Sequence, residues 1–145
     1  MKVVIGSDHG GFELKEPLVR RLEERGYEVK DCGVFDTASV DYPDIAEQVC
    51  TEYLSGGYEF GVVICGTGIG ISISANKIHG IRCALVNNEY SAAMAKCHNN
   101  ANILAFGGRV LGVNLATAIL DAYLDAKFEG GRHQNRVDKI HKLEK

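Results

Sequence analysis

Proline is nearly absent from this chain, with two in 145 residues, whereas glycine is plentiful at 17. Few prolines and many glycines suit an α/β domain whose strands and helices are joined by tight turns. No apolar stretch approaches the ~18 residues that a membrane span needs, so no membrane partner is expected. No basic run occurs before the last predicted helix, and no basic stripe carries aromatic platforms. With a net charge of −3, nucleic acid is not an expected partner either. The five cysteines, Cys32, Cys50, Cys65, Cys83 and Cys97, are odd in number and contain no C-x-x-C pair. Neither a disulfide framework nor a zinc site is indicated, and most of them read as small buried hydrophobes. Linkers, internal repeats and low-complexity segments are lacking. Met1-Lys2 leads directly into a strand pattern without the marks of a signal peptide, and a soluble cytoplasmic protein is the expectation.

What is present reads as one domain over residues 1–145. Its 46% hydrophobic and 24% charged residues are near the globular average, so the chain should fold. Strand and helix patterns alternate. Strands are expected at Lys2–Ser7, Tyr27–Asp31, Phe60–Cys65, Ile81–Val86 and Asn102–Phe106. Helices are expected at Phe12–Arg25, Pro43–Leu54, Ile71–Lys77, Glu89–Cys97, Val113–Phe128 and Arg132–Leu143. Repeated βα units with apolar strands imply a parallel sheet covered by helices on both faces. Ligands of such folds bind beyond the carboxyl ends of the strands. That directs attention to Asp8-His9, Cys65–Gly70, Val86–Asn88 and Gly107–Arg109.

Cys65-Gly66-Thr67-Gly68-Ile69-Gly70 sits where a strand turns into a helix. Three glycines let the backbone approach a ligand, and a helix N-terminus favours anions, a thiolate among them. The turn can therefore hold a base or nucleophile, or it can be a tight turn with an inert cysteine. It is not a dinucleotide fingerprint, because the third glycine position is Ile71, and it lacks the Lys-Ser or Lys-Thr of a phosphate loop. Asp8-His9-Gly10-Gly11 could bind hydroxyls and phosphate, or Asp8 could simply cap a helix. His98 is a natural acid–base group near neutrality, and His98-Asn99-Asn100 also reads as an ordinary helix end. Arg132 and Arg136, four apart on one helix, could join Arg109 in clamping a phosphate, or could be solvated charges.

Taken together, VIGSDHGGFELK, DYPD, ICGTGIGISISANK, RCALVNNEYSA, HNNANILAFGGR and EGGRHQNRV resemble the ribose-5-phosphate isomerase B family, which also includes galactose-6-phosphate and allose-6-phosphate isomerases. The resemblance runs from about residue 3 to about residue 140. It implies a Rossmann-like αβα sandwich around a five-stranded parallel sheet of order 2-1-3-5-4. It also implies a homodimer, sometimes a tetramer, with the active site at the subunit interface. Cys65 would be the base that moves a proton between C1 and C2. A second branch of the family has a carboxylate at the position of Ile71, so the cysteine route is indicated here. Thr67 and the N–H groups from Gly66 through Gly68 and Ile69 to Gly70 would stabilise the enediolate. His98 would open the sugar ring, Asp8 and Asn99 would hold sugar oxygens, and Tyr42 would line the pocket. His9, Arg109, Arg132 and Arg136 would grip the phosphate, with the C-terminal helix serving the phosphate site or the dimer contact. No cofactor and no metal are expected, since aldose–ketose exchange needs a base, an oxyanion cradle and a remote grip.

The sequence leaves the sugar open between ribose 5-phosphate, allose 6-phosphate and another aldose. The helix from Val113 carries Leu115, Ile119, Leu120, Tyr123 and Leu124, an apolar surface broad enough for a partner or for a deep core position. Two rival classes exist. A non-catalytic sugar-phosphate sensor would not need Cys65. A thiol phosphatase would need an arginine where Ile71 stands, and a redox protein would need a second nearby cysteine.

Overall fold

The computed structural model describes residues 1–145. Five strands form one parallel sheet: β1 (Lys2–Ser7), β2 (Glu28–Asp31), β3 (Phe60–Cys65), β4 (Cys83–Leu85) and β5 (Ile103–Gly107). Their order is β2-β1-β3-β5-β4, as the resemblance implied. Six helices connect and cover them: α1 (Phe12–Glu24), α2 (Tyr42–Leu54), α3 (Ile69–Ala75), α4 (Glu89–Cys97), α5 (Val113–Asp125) and α6 (Arg132–His141). The expected αβα sandwich is therefore what the chain forms. No helix is long and apolar enough to cross a membrane.

The alternation of side chains along each strand divides the interior in two. Val3, Ile5, Val62, Ile64, Leu104 and Phe106 face α1, α4 and α5 in the larger core. Val4, Val63, Cys65, Ile103 and Ala105 face α2 and α3 in the smaller one. The inner strands β1, β3 and β5 are buried almost throughout, as expected for a sheet covered on both faces.

Most element boundaries fall within one to three residues of expectation, and three of the differences have a clear local reason. Helix α3 begins at Ile69, two residues early, because Gly68 takes a left-handed N-cap conformation and releases the next residue into the helix. Strand β4 keeps only Cys83–Leu85; it lies at the sheet edge and has one strand, β5, to pair with. Helix α5 stops at Asp125 because Ala126 turns extended, with φ −87° and ψ 157°. Helix α6 stops at His141. The broad apolar surface of α5 is mostly core: Ala116, Ile119, Leu120 and Tyr123 are buried, while Val113 and Leu115 remain exposed.

Candidate active site

In a parallel sheet every crossover helix returns the chain from the carboxyl edge to the amino edge. Residues that follow a strand therefore collect at one edge, and residues that precede a strand collect at the other. Asp8, Cys65–Gly70 and Arg109 all follow strands. His98 and Asn99 follow the last residue of α4 in the short segment that leads into β5. The two edges are separated by the length of a strand, and the six residues of β3 span about 20 Å.

At the carboxyl edge three turns interlock through glycine. A Cβ on Gly10 would stand 3.0 Å from the Gly66 nitrogen, and one on Gly108 would stand 2.8 Å from the Gly10 carbonyl oxygen. Only hydrogen fits at these crossings. The Gly108 amide donates to the Cys65 carbonyl at 2.8 Å, and the Asp8 amide donates to Ile64 at 3.1 Å. The loops after β1, β3 and β5 thus form one surface.

Cys65 ends β3 and is 4% exposed. Its Sγ accepts the Gly68 amide at 3.2 Å. Thr67 is exposed and its Oγ1 accepts the Ile69 amide at 3.2 Å. The amides of Gly66, Thr67 and Gly70 take no partner in the chain. Tyr42, the first residue of α2, lies against Gly70, where a Cβ would stand 2.5 Å from the ring. The Arg109 side chain covers Gly66, and its amide donates to the Gly66 carbonyl at 2.9 Å. Asp8 does cap the turn at His9–Gly11: Oδ1 accepts the Gly10 and Gly11 amides at 2.8 and 3.1 Å. His9 Nδ1 accepts the Val40 amide at 3.3 Å, which leaves its proton on Nε2.

Three of the other cysteines, Cys32, Cys50 and Cys83, behave as hydrophobes. Burial pushes the Cys50 thiol up to about 12 and the Cys83 thiol higher still, and burial followed by Glu52 raises Cys32. These thiols stay protonated at neutral pH.

At the amino edge His98 stacks on His133 of α6, with Glu129 beside both: its Oε1 lies 3.4 Å from His133 Nε2 and 3.9 Å from His98 Nε2. His98, Glu129 and His133 place their ligand atoms within 4.8 Å of one another, a cluster not foreseen from sequence. The two imidazole rings lie 4.2 Å apart at an interplanar angle of 7°, and Glu129 borders the stack without a hydrogen bond to either ring. His133 and Val137 form the buried face of α6, and Arg132 and Arg136 stand exposed on its other side. Arg109, Arg132 and Arg136 form no ion pair within the chain. Asn99 is exposed. The candidate residues therefore fall into two sets: Asp8, His9, Tyr42, Cys65–Gly70 and Arg109 at one edge, and His98, Asn99, Arg132 and Arg136 at the other.

Residues 3–140 match the model of the family described as Ribose/Galactose Isomerase. The chain belongs to the ribose/galactose isomerase family. It is 49% identical over 143 residues to ribose-5-phosphate isomerase B of Escherichia coli strain K12, covering 99% of this chain and 96% of that one. The structure of Clostridium thermocellum ribose-5-phosphate isomerase B superposes with a TM-score of 0.96 at 53% identity, covering 99% of this chain and 97% of the other. The Mycoplasma genitalium ribose-5-phosphate isomerase B with bound ribulose-5-phosphate superposes with a TM-score of 0.91 at 40% identity, covering 97% and 94%.

Proposed function

We propose that this protein interconverts ribose 5-phosphate and ribulose 5-phosphate, and that it does so without metal or cofactor. The observation that carries the reading is Cys65 at the end of β3, within reach of the Gly68 amide and bordered by the free amides of Gly66, Thr67 and Gly70. The names of the relatives, one of them bound to ribulose-5-phosphate, support the choice of sugar.

The reaction follows from the residues. His98 opens the furanose by taking the proton of the anomeric hydroxyl and protonating the ring oxygen. Asp8 and Asn99 hold sugar oxygens and Tyr42 lines the pocket. The Cys65 thiolate takes the proton from C2. The electron pair of that C–H bond forms the C1–C2 double bond, and the aldehyde oxygen becomes an oxyanion. Thr67 and the turn from Gly66 through Gly68 and Ile69 to Gly70 stabilise that charge. A proton moves from O2 to O1, and Cys65 returns its proton to C1 to give the ketose. The phosphate takes no part in bonding changes; His9 Nε2–H, Arg109, Arg132 and Arg136 grip it and hold C1 and C2 in place.

The separation of the two residue sets supports a site built from two copies. Cys65 of one copy would work with His98, Arg132 and Arg136 of the next, in a homodimer or a tetramer made of such dimers. In this reading residues 1–145 are one domain, and α6 serves both the phosphate site and the dimer contact.

The test is ribulose 5-phosphate formation from ribose 5-phosphate by purified protein in excess EDTA, with Cys65→Ala alongside. Turnover that survives EDTA and vanishes with the thiol is expected. Turnover lost to EDTA would overturn the metal-free mechanism. No turnover of this sugar, with turnover of allose 6-phosphate, would overturn the substrate.

A further inference from the structure

Arg82 lies just ahead of β4, at the amino edge of the sheet, facing the end of α4. Its guanidinium forks over the chain that follows His98. Nε donates to the Asn99 and Asn100 carbonyls at 3.2 and 3.1 Å, and Nη2 donates to the Asn100 carbonyl at 2.8 Å. Asn100 has a φ of 45°, so the chain turns sharply and its carbonyls have left the helical ladder. A cation is favoured at this negative helix end, and a planar fork fixes direction as well as distance.

The guanidinium is itself oriented. Nη1 lies 2.7 Å from His141 Nε2. Guanidinium nitrogens only donate, so His141 Nε2 accepts and its proton sits on Nδ1. Nδ1 faces Glu144 Oε1 at 2.8 Å, and the same oxygen accepts the Gly80 amide at 2.9 Å. The Gly80 amide first, and His141 second, hold the Glu144 carboxyl below the usual carboxylate range. A continuous path runs from Glu144 through His141 and Arg82 to the carbonyls of Asn99 and Asn100.

We infer that Arg82 is a positioning residue for the isomerase reaction: held by His141 and Glu144 near the C-terminus, it fixes the segment that presents His98 and Asn99. The inference rests on the ring-opening role proposed above for His98. Arg82 touches no reacting atom in this scheme; it acts through the backbone that carries His98.

The experiment compares two substrates. Ribose 5-phosphate closes into a furanose through its 4-hydroxyl. The 4-deoxy analogue cannot close, because its 5-oxygen is also blocked by phosphate. A residue that serves ring opening matters for the first and not for the second. Arg82→Lys keeps the charge and loses the fork, and it is expected to lower kcat/KM for ribose 5-phosphate by about tenfold or more relative to the analogue. His141→Ala should show the same split to a lesser degree. His98→Ala should show it in full. If His98→Ala lowers both substrates equally, the ring-opening role fails and this inference falls with it. If His98→Ala shows the split and Arg82→Lys lowers both substrates equally, Arg82 is only a helix cap, and this inference alone is overturned.

Discussion

The Gly68 amide donates to the Cys65 sulfur at 3.2 Å, so the residue that caps α3 also touches the proposed base. A thiol is suited to proton transfer at neutral pH in a way that a hydroxyl is not. Cys65→Ser keeps an acceptor for Gly68 yet should lower kcat by at least about a hundredfold. Cys65→Ala should be inactive and cost about 1 kcal/mol of stability. Urea unfolding beside steady-state kinetics separates the two effects. A Ser variant with near-normal turnover would remove Cys65 from the chemistry.

Gly68 itself is fixed by backbone and space together. Its φ is +78°, and a Cβ would stand 2.5 Å from Leu85 Cδ1 and 2.9 Å from the Phe106 carbonyl carbon. Gly68→Ala should cost about 3 kcal/mol, since left-handed strain and overpacking add. A thermal midpoint unchanged from the parent would show that the turn relaxes more easily than this geometry implies.

The strands, and the glycine-rich turns in which the chemistry is proposed, were legible in the sequence because they depend on local pattern. VVIGS and FGVVIC are short and rich in β-branched residues, as buried strands are, and the glycines after Cys65 announce a backbone that approaches something closely. Element ends were less legible: nothing near Ala126 marks the extended residue that ends α5. Contacts between distant residues were not legible at all. Tyr42 over Gly70, and Arg82 over Asn99 and Asn100, need the fold to bring them together. His133 is less conspicuous in the sequence than its arginine neighbours. Its signal was present, since Glu129 stands four residues before it and Val137 four after, marking the inward face of α6. The division of the candidate residues between two sheet edges follows only once every crossover is known to be parallel.

Ser7 makes a simple stability test. Its hydroxyl is fully buried at the end of β1 and has no hydrogen-bond partner. An unsatisfied buried polar group costs about 1–3 kcal/mol, so Ser7→Ala should raise stability by about 1 kcal/mol. Chemical denaturation measures it. A loss of stability would mean that the hydroxyl is in fact satisfied.

Glu144 gives a pH dependence of known sign. Its folded-state carboxyl is held below the ordinary value of 4.5, first by the Gly80 amide and then by His141. A depressed carboxyl stabilises the fold at pH above its unfolded value and loses that contribution as pH falls through the folded value. The parent should therefore be more stable than Glu144→Gln at pH 6, and the difference should shrink as pH falls below about 4. Thermal midpoints across that range test it. A difference independent of pH would show that the carboxylate charge contributes nothing.

The arrangement of the sheet makes the strongest demand on assembly. Cys65 and His98 lie at opposite edges, about 20 Å apart by strand length. No side-chain rotation within one copy closes that gap. If one centre draws on both, the two residues come from different chains. Cys65→Ala and His98→Ala proteins, each inactive or nearly so, should regain activity when unfolded together and reassembled. With random pairing about half of the dimers are mixed, and each mixed dimer holds one intact and one doubly damaged centre. Recovery should approach about one quarter of the parent activity per protomer. Mass spectrometry of the intact assembly verifies that mixed dimers form. Mixed dimers without recovered activity would mean that each centre is built from a single chain, and the separation of Cys65 from His98 would then remove His98 from the reaction.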